Sequence, residues 1–354
     1  MSWQPSKRLA GVAVALLVAG CSAAYGLMSA TGPAASAPRT HATARKTLAT
    51  LGSATPAAGE AGVSHAARHH PAAAHRGSGL TGGSAAGFHP LLGMYATGMP
   101  GSYQPVQQFA AAVGKEPRIV LFYSGFGEQF PVAFAQQAYA HGATPLDQIE
   151  PTGISIAQIA AGGYDAYLKS YADEIRAYGH RVIVGFAHEM NGSWYSWGWT
   201  HVSASTWVTA WRRVVTDFRS QHATNVTWLW TISRVLDQGP VQSFWPGASY
   251  VNWVGIDGYF TGPQDTFSNV FLRMMSVVHQ FTNDPILISE SAIGQRAGQA
   301  RMIPNLLSGV ITYHLLGLVW FDVAQSGGLT QQDWRLEGHP AALAAFRQAD
   351  RGFA

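Results

Sequence analysis

Val182-Ile183-Val184-Gly185-Phe186-Ala187 runs straight into His188-Glu189-Met190-Asn191-Gly192. Six apolar residues in a row are too few for a buried helix and suit a strand. The run does not alternate with polar residues, so both faces of that strand are to be covered, as in a parallel sheet flanked by helices. A dense polar cluster follows immediately, with a glutamate near its start and a glycine that permits a tight turn.

The same pattern extends outward in both directions. Short apolar runs fall at Leu92–Thr97, Arg118–Tyr123, Thr144–Ile149, Arg181–Ala187, Val226–Ile232, Trp253–Tyr259, Ile286–Glu290 and Gly317–Phe321. Helical spacing lies between them at Val106–Val113, Val132–Ala140, Tyr164–Tyr178, Ser205–Ser220, Thr266–Phe281 and Ala297–Ser308, with a last helix at Pro340–Ala349. Asp237–Ser249, after the fifth run, reads as loop with at most a short helix. Eight strands, each followed by a crossover, predict an α/β fold of the (β/α)₈ TIM-barrel type. An open doubly wound sheet is the alternative. It would place a glycine-rich phosphate turn after an early strand, and Thr97-Gly98-Met99-Pro100-Gly101 lacks that spacing. No short-period repeat argues for a solenoid or propeller.

The barrel is expected to fill residues 88–354. Of 354 residues, 47% are hydrophobic and 12% charged, which suits a large core and excludes a largely disordered chain. The formal charge of +3 belongs to the N-terminal part. Residues 1–87 hold seven Lys/Arg and a single acid, Glu60; the fifteen basic and eighteen acidic residues that remain give 88–354 a net of −3. Nothing there forms a basic face for nucleic acid.

Residues 1–21 read as an export signal: Lys7 and Arg8, an apolar stretch from Leu9 to Gly20, then Cys21. Leu17-Val18-Ala19-Gly20-Cys21 resembles a bacterial lipobox, and Cys21 is the only cysteine. Apolar character continues to about Ala30, so an uncleaved membrane anchor of roughly 20 residues is the second reading. Residues 22–87, rich in Ala, Ser, Thr, Pro, Gly and His, are expected to be a flexible linker. His65, His69, His70 and His75 have no carboxylate or thiolate nearby to complete a metal site, and no metal or cofactor is expected anywhere. The sequence thus predicts an extracellular or cell-surface monomer, lipid-anchored at Cys21, that touches membrane only through that end.

Reactive groups in such barrels project from the C-terminal ends of strands. Glu189 follows the fourth strand and Glu290 ends the seventh, although residues 88–354 contain only seven glutamates. Strands four and seven face each other across a closed barrel, so two carboxyls converge over one pocket. That is what cleavage of a glycosidic bond needs: one acid to protonate the departing oxygen, and one carboxylate to trap the cationic sugar. An ion pair at the barrel mouth is the bland alternative for each. His188 can hydrogen-bond a sugar hydroxyl or brace a carboxylate, and Asn191 can orient the loop. The cluster Ser193-Trp194-Tyr195-Ser196-Trp197-Gly198-Trp199 lacks helical core spacing and reads as a stacking platform for sugar rings.

The stretch His188–Gly198 resembles the signature of glycoside hydrolase family 26, barrels best known as β-mannanases. Further matches follow in register: Trp228-Leu229-Trp230, Trp253-Val254-Gly255-Ile256-Asp257-Gly258-Tyr259, Ser289-Glu290 and Trp320-Phe321-Asp322. The resemblance implies a retaining double displacement with Glu189 as acid/base, protonated at rest, and Glu290 as ionised nucleophile. It implies that the Tyr259 hydroxyl bonds the nucleophile, with His188 beside it. Trp194 and Trp320 would line the subsite of the reacting sugar, and Asn191 and Trp197 would also serve substrate binding. The expected substrate is a β-1,4-linked polysaccharide, mannan first, with mixed-linkage β-1,3-1,4-glucan or xylan as alternatives. A non-catalytic carbohydrate-binding barrel is the reading from another class. Two departures stand out. Thr144–Pro151 replaces a segment bearing His and Trp, and strand five ends Thr231-Ile232-Ser233-Arg234. Asp147, Glu150 and Arg234 are the candidates to fill that part of the cradle.

Overall fold

The computed structural model describes residues 88–235, 239–294, 296–324 and 332–354. The expected export segment (1–21) and linker (22–87) lie outside them. The eight strands are β1 (Leu91–Ala96), β2 (Ile119–Gly125), β3 (Thr144–Glu150), β4 (Val182–Phe186), β5 (Val226–Ser233), β6 (Trp253–Asp257), β7 (Ile286–Ser291) and β8 (Gly317–Asp322). All pair in parallel with their sequence neighbours, and β1 closes on β8 from Leu91↔Gly317 to Ala96↔Asp322. The expected closed barrel is present, with strand ends one or two residues from their predicted positions.

The helices are α1 (Gln104–Val113), α2 (Val132–Ala140), α3 (Ile156–Ala160), α4 (Asp165–Tyr178), α5 (Ala204–Ser220), α6 (Arg273–Val278), α7 (Gln299–Thr312) and α8 (Pro340–Ala349). The sequence reading missed α3. Its signal is Ser155, whose side chain caps the Gln158 N–H, followed by the buried pair Ile156 and Ile159. The single helix expected over Thr266–Phe281 is instead a π-helical turn, Ser268–Leu272, leading into the short α6. The segment after β5 holds only a 3₁₀ turn at Val241–Phe244.

The outer core is heavily aromatic. Trp207 and Trp211 of α5 stack at 5.4 Å and pack against Phe244 and Trp228. Full burial of each such side chain contributes roughly 2–3 kcal/mol. The barrel interior is different, because it carries a polar layer below the mouth. Gln148 Nε2 donates to Thr231 Oγ1 at 2.9 Å, and Ser289 Oγ donates to Asp257 Oδ1 at 2.6 Å. Two strand glycines make room for it. A Cβ on Gly185 would lie 1.9 Å from Gln148 Oε1, and one on Gly255 would lie 2.5 Å from both the Thr231 and Ser289 hydroxyls.

Strand β7 carries an irregularity on both sides. Pairing with β6 passes from Gly255↔Leu287 to Asp257↔Glu290, and pairing with β8 passes from Ile288↔Leu318 to Ser291↔Trp320. In each case β7 advances three residues while its neighbour advances two. This is a β-bulge, which re-aims side chains locally. Consecutive residues Ser289 and Glu290 therefore both serve the interior.

Candidate active site

Glu290 of β7 is held at the C-terminal mouth of the barrel by two side-chain donors. It is buried, and both carboxylate oxygens accept phenolic hydrogen bonds. Tyr259, just beyond β6, donates to Oε2 at 2.6 Å, and Tyr123 of β2 donates to Oε1. Burial pushes the Glu290 carboxyl up to about 7, while the two hydroxyls pull it back down. The sequence reading expected a plainly ionised Glu290. Burial outweighs the two donors, so the group is poised near neutrality. Tyr123 was not singled out from sequence, although it ends a predicted strand where functional groups belong.

Glu189 follows β4 across the barrel. It is 3% exposed, and Trp194 Nε1 donates to its Oε2 at 2.9 Å. The backbone there is unusual: Ala187 has φ +47° and Glu189 has φ +51°. Left-handed backbone costs a non-glycine residue about 1–2 kcal/mol. The surroundings hold it in place. The Glu189 N–H donates to Thr231 O at 2.9 Å, and Gly192 N–H returns to Glu189 O at 2.8 Å. Both glutamates act electrostatically on one further group, Asp257 of β6. Burial first, then Glu290 and Glu189, push its carboxyl well above the ordinary range.

His188, between the two left-handed residues, is 2% exposed. Burial drives it down to about 3, so it is neutral at any working pH. Its Nε2 lies 3.2 Å from the Tyr195 hydroxyl, and its ring is 5.6 Å from that of Tyr123, the residue that holds Glu290. Glu150, at the end of β3, places Oε1 3.9 Å from His188 Nδ1.

Several expected substrate contacts are corrected. Trp320 points out of the barrel and packs on Phe346 of α8 at 5.2 Å, and its Nε1 donates to Trp334 O. The next residue, Phe321, faces the mouth instead, 4.7 Å from Tyr95 and 5.8 Å from Tyr259. Trp334, which sequence reasoning did not select, stacks on Tyr259 at 4.6 Å. Trp197 is buried, stacked on Tyr195 at 4.4 Å, and donates to His188 O at 2.7 Å, so it supports the histidine from behind. Asn191 is fully buried. It accepts from Ser233 N–H at 2.8 Å and donates to Ser233 O at 2.9 Å, which fastens the β4 loop to β5. Asp147 also leaves the cradle: it accepts from the Tyr171 hydroxyl of α4 at 2.6 Å, outside the barrel. Arg234 sits half-buried past β5, its N–H bonded to Asp257 O. Among the described residues no three His, Cys, Asp or Glu side chains cluster as metal ligands.

The site is therefore a buried pair of glutamates on β4 and β7, one bonded by two phenols and the other by an indole, with a neutral histidine beside them. Comparison with known proteins matches this arrangement. Residues 162–295 fit the family model described as Glycosyl hydrolase family 26. Endoglucanase H of Acetivibrio thermocellus is 29% identical over 266 residues, which is 70% of this chain and 29% of that protein. Mannan endo-1,4-beta-mannosidase A and B of Caldalkalibacillus mannanilyticus is 30% identical over 128 residues, 34% of this chain and 25% of that protein. The chain spans under a third of the length of these curated relatives. Among solved structures, a GH26 beta-mannanase from Bacteroides ovatus superposes with a TM-score of 0.59 at 16% identity, covering 74% of this chain and 88% of that one. A modular endo-beta-1,4-mannanase from Cellulomonas fimi gives 0.57 at 16% identity, covering 74% and 70%. At such identities the structural likeness speaks for the fold alone. The stretch that matches the family model contains both Glu189 and Glu290.

Proposed function

We propose that this chain is a retaining glycoside hydrolase that makes internal cuts in a β-1,4-linked polysaccharide, as an endo-β-1,4-mannanase. The observation that carries the reading is a buried glutamate on β7 that accepts a phenolic hydrogen bond on each carboxylate oxygen, with a second buried glutamate just past β4. Glu290 has a charge-stabilising donor on each oxygen, as a nucleophile needs. Glu189 is buried and accepts the Trp194 indole N–H, which holds it in position as an acid/base needs. In the first step Glu290 attacks the anomeric carbon while Glu189 gives its proton to the departing glycosidic oxygen. In the second, Glu189 takes a proton from water, whose oxygen displaces Glu290 and regenerates the carboxylate. Tyr123 and Tyr259 hold Glu290 in line throughout, and Trp334 and Phe321 wall the sugar site.

A second reading on the same chemistry is a β-glucanase. The longest of the curated matches described above, over 70% of this chain, is to a protein named Endoglucanase H, whereas the mannosidase covers 34%. The departures at Thr144–Pro151 and at the end of β5 weaken the mannan assignment as well. A product profile on mannan, glucomannan, lichenan and xylan separates the two. Proton NMR of the first product reads the stereochemistry, with retention expected. Glu189→Ala and Glu290→Ala should each abolish turnover, with azide partly restoring one of them. Full activity in either variant overturns the assigned pair. Binding without release of reducing ends across the panel favours a non-catalytic barrel.

We infer as well that the enzyme is exported and held at the cell surface through a lipid on Cys21. The basic-then-apolar segment and the lipobox-like Leu17–Cys21 support this. Fatty-acid label that incorporates equally into wild type and Cys21→Ser would end it.

A further inference from the structure

Glu150 and His188 form a pair at the mouth whose facing polar atoms the described residues leave unanswered. Glu150 is 4% exposed, and its Oε1 has no hydrogen-bond partner. His188 Nδ1 is equally buried and equally unpartnered. They come from adjacent strand ends and face each other at 3.9 Å. That is too long for a hydrogen bond, but one oxygen atom can sit about 2.8 Å from both. Each buried polar atom left unmade costs about 1–3 kcal/mol, so folds seldom leave two together without an occupant.

The orientation of Glu150 is fixed by strand parity. Asp147, three residues back, turns outward to Tyr171, while Gln148 turns inward to Thr231. Glu150, two residues on from Gln148, shares its inward face. There it lies close enough to Glu290 and to Tyr95 of β1 to interact with both, and burial first, then Glu290, push its own carboxyl well above the ordinary range. The pair thus borders the carboxyl that would attack the sugar. Histidine is neutral in this setting and therefore offers one N–H and one lone pair. The Tyr195 hydroxyl lies 3.2 Å from Nε2 and can donate to it, which leaves the ring proton on Nδ1, facing the gap. The gap then presents a donor on one side and an acceptor on the other. An alcohol, which both accepts and donates, completes it.

We propose that Glu150 and His188 grip a single ring hydroxyl of the sugar bound beside Glu290, and so select which β-linked hexose the enzyme accepts. The inference rests on the glycosidase reading above and deepens it. His188 donates to the hydroxyl oxygen, and that hydroxyl donates to Glu150 Oε1. A sugar with the hydroxyl removed or inverted leaves both atoms unpaired inside the protein. Leaving the two buried atoms unpaired gives discrimination of about 10–100-fold.

The test is a cycle between protein and substrate. Aryl β-glycosides of the preferred polymer's oligosaccharides are made with single deoxy positions on the reacting ring. Glu150→Ala should lower kcat/KM on the parent glycoside about 10–100-fold. On one deoxy substrate the same change should cost less than about threefold, and His188→Ala should single out that same position. Glu150→Gln, which keeps an acceptor, should fall between wild type and alanine; it also serves if the alanine variant folds poorly. Losses that multiply at every ring position overturn the proposal and leave the glycosidase assignment standing. A wild type that hydrolyses none of the glycosides overturns that assignment instead. Calorimetric binding of the same series then reads the coupling directly, and its absence at every position overturns the hydroxyl grip as well.

Discussion

The Tyr259 hydroxyl donates to Glu290 Oε2 at 2.6 Å, and Tyr123 reaches the other oxygen from the opposite side of the barrel. These bonds work against burial, which holds the carboxyl near 7. Removing either donor strengthens the proton's hold. Tyr259→Phe and Tyr123→Phe should each move the acid limb of the kcat/KM–pH profile to higher pH, and lower the plateau about 10–100-fold. A profile that keeps its acid limb in both variants would show that some other group controls it.

The same carboxyl affects stability with the opposite sign from an ion-paired one. Its folded pKa lies above its unfolded value of about 4.5, so ionising it opposes folding. The penalty is absent below about pH 4.5, grows from there, and is complete once pH has risen through 7. Glu290→Gln should therefore raise Tm more at pH 8 than at pH 4.5, while abolishing activity. Thermal unfolding at the two pH values is the measurement, and an equal shift at both would contradict it.

Trp194 Nε1 donates to Glu189 Oε2 at 2.9 Å. Trp194→Phe keeps the ring and loses the bond, leaving the acid/base group less well oriented. Turnover of glycosides with poor leaving groups should fall about tenfold or more, because they need the proton. Dinitrophenyl glycosides, whose leaving group departs unassisted, should be little affected in the first step. Equal losses on both would place the indole's role elsewhere.

Asn191 is buried with bonds in both directions to the Ser233 backbone. Asn191→Ala leaves a buried N–H and C=O unanswered at the join of β4 and β5. Stability should drop about 2–4 kcal/mol by denaturant unfolding. KM should change less than kcat, since the residue positions the loop and touches no sugar.

Trp320 and Trp334 should separate cleanly. Trp320→Phe should lower Tm with little effect on KM, because the ring packs on Phe346 outside the barrel. Trp334→Ala should raise KM severalfold, because its ring stacks on Tyr259 at the mouth. The reverse pattern would restore Trp320 to the sugar site.

The eight strands were legible because parallel strands covered on both faces read as unbroken apolar runs, and all eight stood out. Helix α3 escaped because five residues carry almost no periodicity, and the Thr266–Phe281 region was over-read because its apolar spacing continues through a π turn. In the site, Glu189 and Glu290 were singled out by their position at strand ends, and Tyr259 and Trp194 by the family resemblance. Trp320, Trp197 and Asp147 were misassigned for one shared reason, while Asn191 orients the loop and does not meet the sugar. Sequence shows that a residue ends a strand or sits in a loop, and leaves open which way the side chain turns. Trp320 and Phe321 are both large and aromatic, and only the register with β1 sends one to α8 and the other to the mouth. Trp334 lay hidden because it follows β8 by a dozen residues and joins the site from a returning segment.

The extra residue in β7 has a consequence for how such a site evolves. Regular pleating would give Ser289 and Glu290 to opposite sides of the wall, so the nucleophile depends on a count of residues as much as on being a glutamate. Deleting one residue ahead of it would keep every amino acid type in the motif and still rotate the carboxylate out among the helices. Insertions and deletions in that strand should therefore be far less tolerated than substitutions of its apolar members.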